Sequence, residues 1–339
     1  MGPPPDDLFA TPERHFLAFD GDEALFLRMD RAAYHRSIFL DRRTEALEAQ
    51  PTRVALAPLV EAARDKEIPR TGWIFHVAHC GSTLLSRLID RPDSGLVLRE
   101  PPPLRQLGMA AASGQAGDAW HGWLHFASAM AARRFDESQP TVVKANVPVN
   151  FILPQLLARD PDAPSVLLYF ALEPYLIAVL GSPGHRAWVD RLTEQLAAAL
   201  AVGVGLASDA GTAERAAALW LAQMTIFDAA LREYPATRSL DAETLFADPA
   251  GVAETAAAHF GLRLSATDGA DACLMSTYSK DPARRFDESD RRAQQADRRE
   301  ALREDIVTAR RWVETSPAVR DLSICLDRPI AGKPATLLA

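Results

Sequence analysis

Trp73-Ile74-Phe75-His76-Val77-Ala78-His79-Cys80-Gly81-Ser82-Thr83-Leu84-Leu85-Ser86-Arg87-Leu88-Ile89 is the stretch on which the fold turns. Its first six residues are bulky and apolar with hardly a break, as in a strand buried on both faces of a parallel sheet. Its last six place apolar residues at helical spacing. A glycine and two hydroxyls lie between. A strand, a glycine turn and a helix together make an anion cradle. Gly81 allows close backbone approach, successive N–H groups converge, and the helix start adds a favourable dipole. Ser82 and Thr83 add hydroxyl donors. An ordinary strand–turn–helix with a hydroxyl cap accounts for the same residues. The Walker pattern GxxxxGK[ST] is absent and no lysine precedes Ser82, which speaks against an ordinary ATP or GTP enzyme.

Working outward, the alternation repeats. Thr141 to Ala145 reads as a strand and Val149 to Arg159 as a helix. Ser165 to Ala171 is a strongly apolar strand, and Tyr175 to Leu180 begins a helix. Arg186 to Leu206 and Thr212 to Tyr234 read as long alanine-rich helices. Thr237 to Asp241 is a short strand, and Ala250 to Phe260 a helix closed by Gly261. Strands alternating with helices imply a parallel sheet covered on both faces, hence a three-layer α/β/α domain. Gly114 to Gly117, with three prolines upstream at 101–103, reads as an irregular loop or lid. The expected organisation is a helical extension over residues 1–70, with helices at Asp41 to Glu48 and Leu56 to Arg64. The main domain covers 71–315 and a tail covers 316–339.

The totals narrow the classes. The chain has 339 residues, 48% of them hydrophobic and 24% charged, which suits a globular protein with a sizeable core. A net charge of −8 gives no basic face for nucleic acid, though one small anion needs only a few cations. The three cysteines, Cys80, Cys273 and Cys325, form no CxxC pair, so neither a disulfide framework nor a zinc site is expected. Met1 to Asp7 lacks a basic start and an apolar run, and Leu196 to Leu206 is too short to cross a bilayer. A cytoplasmic protein without a membrane span is expected. His121 and His125 stand four apart without a neighbouring glutamate or an evident third ligand, so no metal is expected.

The run from Ile74 to Asp90 resembles the 5′-phosphosulfate loop of the sulfotransferases, a P-loop nucleotide-binding family that uses PAPS (3′-phosphoadenosine 5′-phosphosulfate). Further segments resemble that family, its bacterial members included, in the same order. They are Val142-Val143-Lys144-Ala145-Asn146, Thr237 to Leu245 with Ala247-Asp248-Pro249, Phe260-Gly261-Leu262, and Tyr278-Ser279-Lys280 with Phe286-Asp287. The resemblance implies transfer of a sulfuryl group from PAPS to a hydroxyl or amine of a small-molecule or glycan acceptor, without a metal. It places the donor against His79, Cys80, Gly81, Ser82, Thr83 and Leu84. His79 stands where the family's loop carries arginine or lysine. Leu172-Glu173-Pro174 stands where it carries Arg-Asp-Pro, whose arginine holds the 3′-phosphate. Arg186, Lys280 and Arg284 are the cations expected to take that place.

Sulfuryl transfer needs a base for the acceptor proton and positive charge near the departing oxygen. Glu100 resembles the glutamate base of some family branches in position. Lys144 closes a strand at the sheet end where α/β proteins bind ligands. Lys144 and His79 are the expected stabilisers of the leaving oxygen. Cys80 reads as a small loop filler. The Asp281 to Arg310 stretch balances eight arginines against eight acids, as a solvated helix face does. Two other readings use the same loop: a phosphotransferase with another nucleotide, and a non-catalytic binding module.

Overall fold

The computed structural model describes residues 8–41, 43–91, 93–264, 277–278, 281–285 and 288–338, with side chains placed outside 277–294. Eight strands build its two larger sheets: β1 (Arg14–Asp20), β2 (Glu23–Arg28), β3 (Thr52–Ala55), β4 (Thr71–His76), β5 (Leu96–Arg99), β6 (Thr141–Lys144), β7 (Ser165–Tyr169) and β8 (Thr237–Asp241). The central sheet has the order β5-β6-β4-β7-β8, and every pairing in it is parallel. Helices flank it, so the fold is the expected three-layer α/β/α class. Every residue of β4, β5, β6 and β7 is buried, which is why these segments read as continuous apolar runs. β4 lies at the centre, where the crossovers change direction, and its carboxyl end opens into the crevice such sheets offer to ligands.

The helix Thr212–Glu233 braces that end from below. Trp220 is fully buried, and its indole N–H donates to Phe170 O at 2.9 Å. Gln223 Oε1 accepts from Asn150 Nδ2 at 2.7 Å, and the same amide donates to His76 O at 3.0 Å. A buried polar chain therefore fixes the last residue of β4, and buried polar groups seldom go without such partners.

The described residues before 71 are not the expected helical extension. β1, β2 and β3 form an antiparallel sheet there, with the first hairpin turning at Gly21 (φ +59°). Leu56–Ala63 is a helix as expected, but the described residues between Asp41 and Glu48 form none. Burial alternates along β2 from Glu23 to Phe26, and this apolar face, not charge amphipathicity, decides the region. Three more expectations shift. The prolines at 101–103 open a helix, Pro102–Ala112, because proline suits a first turn. The segment 149–159 divides into a 3-10 turn, Val147–Ile152, and a short helix, Leu153–Leu157. The stretch 186–206 breaks at Leu196 into Pro183–Gln195 and Ala197–Val204. The segment 316–338 is no loose tail. Leu326 and Leu337 are fully buried, Ile330 N donates to Ser239 O at 2.8 Å, and Leu172 N donates to Leu337 O at 2.8 Å.

Candidate active site

β5 and β6 are parallel neighbours with Arg99 in register with Lys144, so Glu100 emerges beside the end of β6. Glu100 N donates to Lys144 O at 2.7 Å, and the residue takes the left-handed conformation (φ +57°) that non-glycine residues rarely adopt. That turn swings the carboxylate back over the sheet end. Lys144, fully buried, forms its ion pair with Glu100 Oε1. A buried ammonium is costly without such a partner. The Lys144 ammonium also lies 5.3 Å from the Phe39 ring centre.

His76, the last residue of β4, completes the cluster. Its Nδ1 accepts from Ala78 N at 3.1 Å, so the neutral ring carries its proton on Nε2, which lies 3.8 Å from Glu100 Oε1. The chain then turns sharply, with positive φ at Ala78, His79 and Gly81 (+71°, +52° and +84°). A side chain at Gly81 would also press on Leu245 and Phe246 at 3.0 Å, so the turn has two reasons for glycine. Gly81 caps the helix Ser82–Leu88.

Glu100, His76, His79 and Ser82 line one cavity of about 1060 Å³. Two further residues there were not legible as site residues. His185 and Trp188, from the helix Pro183–Gln195, pack on His79 with ring centres 4.0 Å and 5.4 Å away. His185 Nδ1 lies 2.8 Å from Ala178 O, so it must be the donor and Nε2 is left as an acceptor in the neutral ring. Arg43 stands on the same cavity with its guanidinium 4.0 Å from the Phe39 ring centre. Its hydrogen bond to Asp41 outweighs partial burial and, with the charges of Asp41 and Glu100, raises its pKa.

The other expected residues distribute as follows. Thr83 is buried in the first helical turn, and its Oγ1 has no hydrogen-bond partner among the described residues. Cys80 is fully buried and points its thiol at Leu168 O, 3.7 Å away, as a filler does; Leu84 is also in the core. Leu172 is fully buried. Glu173 is held by Arg299 at 2.6 Å and Arg310 at 3.1 Å. Arg186 does not line the cavity with Glu100: it pairs with Asp305 and donates to Leu180 O at 3.0 Å. Lys280 lies outside the described residues, and so does the side chain of Arg284, whose backbone belongs to the strand Asp281–Arg285. His125 Nε2 lies 2.9 Å from Ala63 O and its Nδ1 2.9 Å from Arg159, and no group of three metal-ligating side chains occurs among the described residues. No helix among the described residues is long and apolar enough to cross a membrane.

No family model matches the chain, and no curated protein matches it. Among solved structures, a sulfotransferase domain from the curacin biosynthetic pathway matches with a TM-score of 0.37 and 12% identity, over 64% of this chain and 80% of that one. At that score the likeness assigns no residue.

Proposed function

We propose that the chain is a sulfotransferase-like P-loop enzyme that moves a sulfuryl group from PAPS to a hydroxyl. The observation that carries this reading is the meeting of Glu100, paired with buried Lys144, and the glycine-turn residues Ser82 and His79 on one cavity. In this reading the acceptor oxygen attacks sulfur and its proton passes to Glu100. The sulfur–oxygen bond to the phosphate breaks, and its electron pair leaves on the phosphate oxygen. Lys144 holds the Glu100 carboxylate in place. Ser82, Thr83 and the turn N–H groups take the phosphosulfate, and the partnerless Thr83 hydroxyl suits such an anion. His79 stands where a P-loop cation is wanted.

The 3′-phosphate has no arginine at Leu172 to meet it. We assign it to Arg310 and Arg299, which leave one net positive charge after pairing with Glu173, together with Lys280 and Arg284. Arg310 Nε is buried without a hydrogen-bond partner among the described residues. A cytoplasmic setting agrees with Cys80 and Cys325 forming no disulfide among the described residues.

The test is transfer of radiolabelled sulfate from PAPS to a panel of hydroxyl acceptors, with the Glu100→Gln variant as control. Labelled product is expected, falling at least about 100-fold in the variant, as loss of a general base does. Failure of the wild-type protein to form either labelled product or PAP (3′-phosphoadenosine 5′-phosphate) overturns the reading. A folded protein that neither binds PAP nor transfers sulfate supports instead the non-catalytic module that has lost donor binding, which the apolar Leu172 also favours.

A further inference from the structure

The cavity wall facing Glu100 is built by the N-terminal sheet. Phe16 pairs with Phe26 and Ala18 with Leu25, so β1 holds one extra residue, Leu17, across a single step of β2. Successive residues of β2 point to opposite faces. Phe26 turns into the core and takes Phe16 with it, so Leu25 and Ala18 face the other way, onto the cavity. The bulge thus reverses the sheet's sidedness at Leu17, which itself lines the cavity. Without the extra residue, a regular hairpin would keep Phe16 and Ala18 on one face.

The wall is also fixed. Gln106, from the helix Pro102–Ala112, accepts from Phe19 N at 2.9 Å and donates to Phe19 O at 2.8 Å, standing in for a neighbouring strand. Leu17, Ala18, Leu25 and Phe39 line the cavity together with Val147, Trp188 and Leu192. The rim acids are already paired, Asp20 with Arg53 at 2.8 Å and Asp41 with Arg43 at 2.5 Å. Asn146, Arg105 and His185 also line the cavity, with Asn146 Oδ1 lacking a hydrogen-bond partner among the described residues, but this wall itself presents apolar surface where a sugar ring needs several polar partners.

We infer that this wall is an acceptor-specificity site, that Leu17, Ala18 and Leu25 determine its selectivity, and that the acceptor is an alcohol with an extended apolar body. The cavity, about 1060 Å³ and shared with the glycine turn, has room for such a body. The inference rests on the sulfuryl-transfer reading only for the fate of the hydroxyl. The binding itself needs no donor.

Calorimetry without donor tests it, using 1-hexanol, 1-heptanol, 1-octanol and maltose as probes. Affinity is expected to rise about three- to fourfold with each added methylene, as for burial of a CH₂ group, with no maltose binding at the same concentrations. Two variants follow. Leu25→Gln is expected to weaken 1-octanol binding at least tenfold. Ala18→Leu fills space without adding polarity and is expected to weaken 1-octanol more than 1-hexanol. Thermal melts check that each folds, and either folded variant suffices. A flat chain-length series, no alcohol binding, maltose binding as tightly, or unchanged affinity in a folded variant overturns the inference. Alcohol binding without sulfate transfer would leave the wall as inferred and remove the enzymatic reading. Transfer to a glycan with no alcohol binding would do the reverse.

Discussion

The cavity wall that carries Glu100 and Ser82 is held by backbone bonds between parallel strands, whereas the region that carries Leu17 and Leu25 is held to the protein by buried arginine side chains as well as by a backbone bond from Leu40 N to Arg99 O at 3.0 Å. Two buried arginines make the second attachment. Arg133 donates to the carbonyls of Leu8, Thr11 and Arg14 at 2.7, 2.9 and 2.8 Å, and to Met130 O at 2.9 Å. Arg99, one residue before Glu100, donates to Tyr34 O and Ser37 O at 2.7 Å and pairs with Asp90 at 2.5 Å. The wall with Glu100 is therefore set by the sheet itself, while the wall with Leu17 and Leu25 depends on the buried arginines that tie it on.

The difference predicts opposite responses to acid. His15, beside Arg133, has its pKa lowered to about 3, chiefly by burial and then by the Arg133 charge. A base whose folded pKa is depressed stabilises the fold above its unfolded value of 6.5, and that stability is lost as pH falls towards 3. The ceiling is about 5 kcal/mol. Asp241, at the carboxyl end of β8, has its pKa raised to about 6, chiefly by burial and then by the Glu243 charge. A raised acid pKa works the other way. The central sheet gains stability as pH falls from about 6 to 3.8, with a ceiling of roughly 3 kcal/mol.

Arg133→Met carries the larger expected effect. It strips four carbonyls of their donor, and unsatisfied buried groups cost about 1–3 kcal/mol each. The N-terminal sheet should open more easily by about 3–5 kcal/mol, with β1 and β2 amides losing protection and β4 and β7 keeping theirs. Equal loss in both sheets would erase the distinction between the walls. The smaller effect is Asp241→Asn, which removes a buried charge but keeps an acceptor for Glu243 N. The melting midpoint at pH 7 should rise by the equivalent of about 1–2 kcal/mol, and the gain should vanish near pH 4. A variant less stable than wild type at pH 7 would mean that the carboxylate serves the fold in its charged form.

Much of the central sheet was legible because fully buried strands leave continuous apolar runs, as Ser165 to Tyr169 shows. Glu100 and Lys144 were legible one by one because each closes a strand. Their pairing depends on β5 lying beside β6, which strand order alone decides. β1 and β2 were missed although Asp20-Gly21-Asp22 is a tight-turn signal between two apolar segments. The bulge at Leu17 breaks their alternation and hides the period of two. His185 and Trp188 arrive on a helix more than 100 residues beyond the glycine turn, and nothing local marks them.

The central claim is that the glycine turn holds the donor's phosphosulfate end, and calorimetry with PAP tests it most directly. Wild-type protein should bind PAP, and the Ser82→Ala/Thr83→Ala double variant should lose about 2 kcal/mol or more, near 30-fold, since hydrogen bonds to charged partners are worth about 1.5–3 kcal/mol each. No binding by the wild-type protein, or unchanged affinity in a folded double variant, would contradict it.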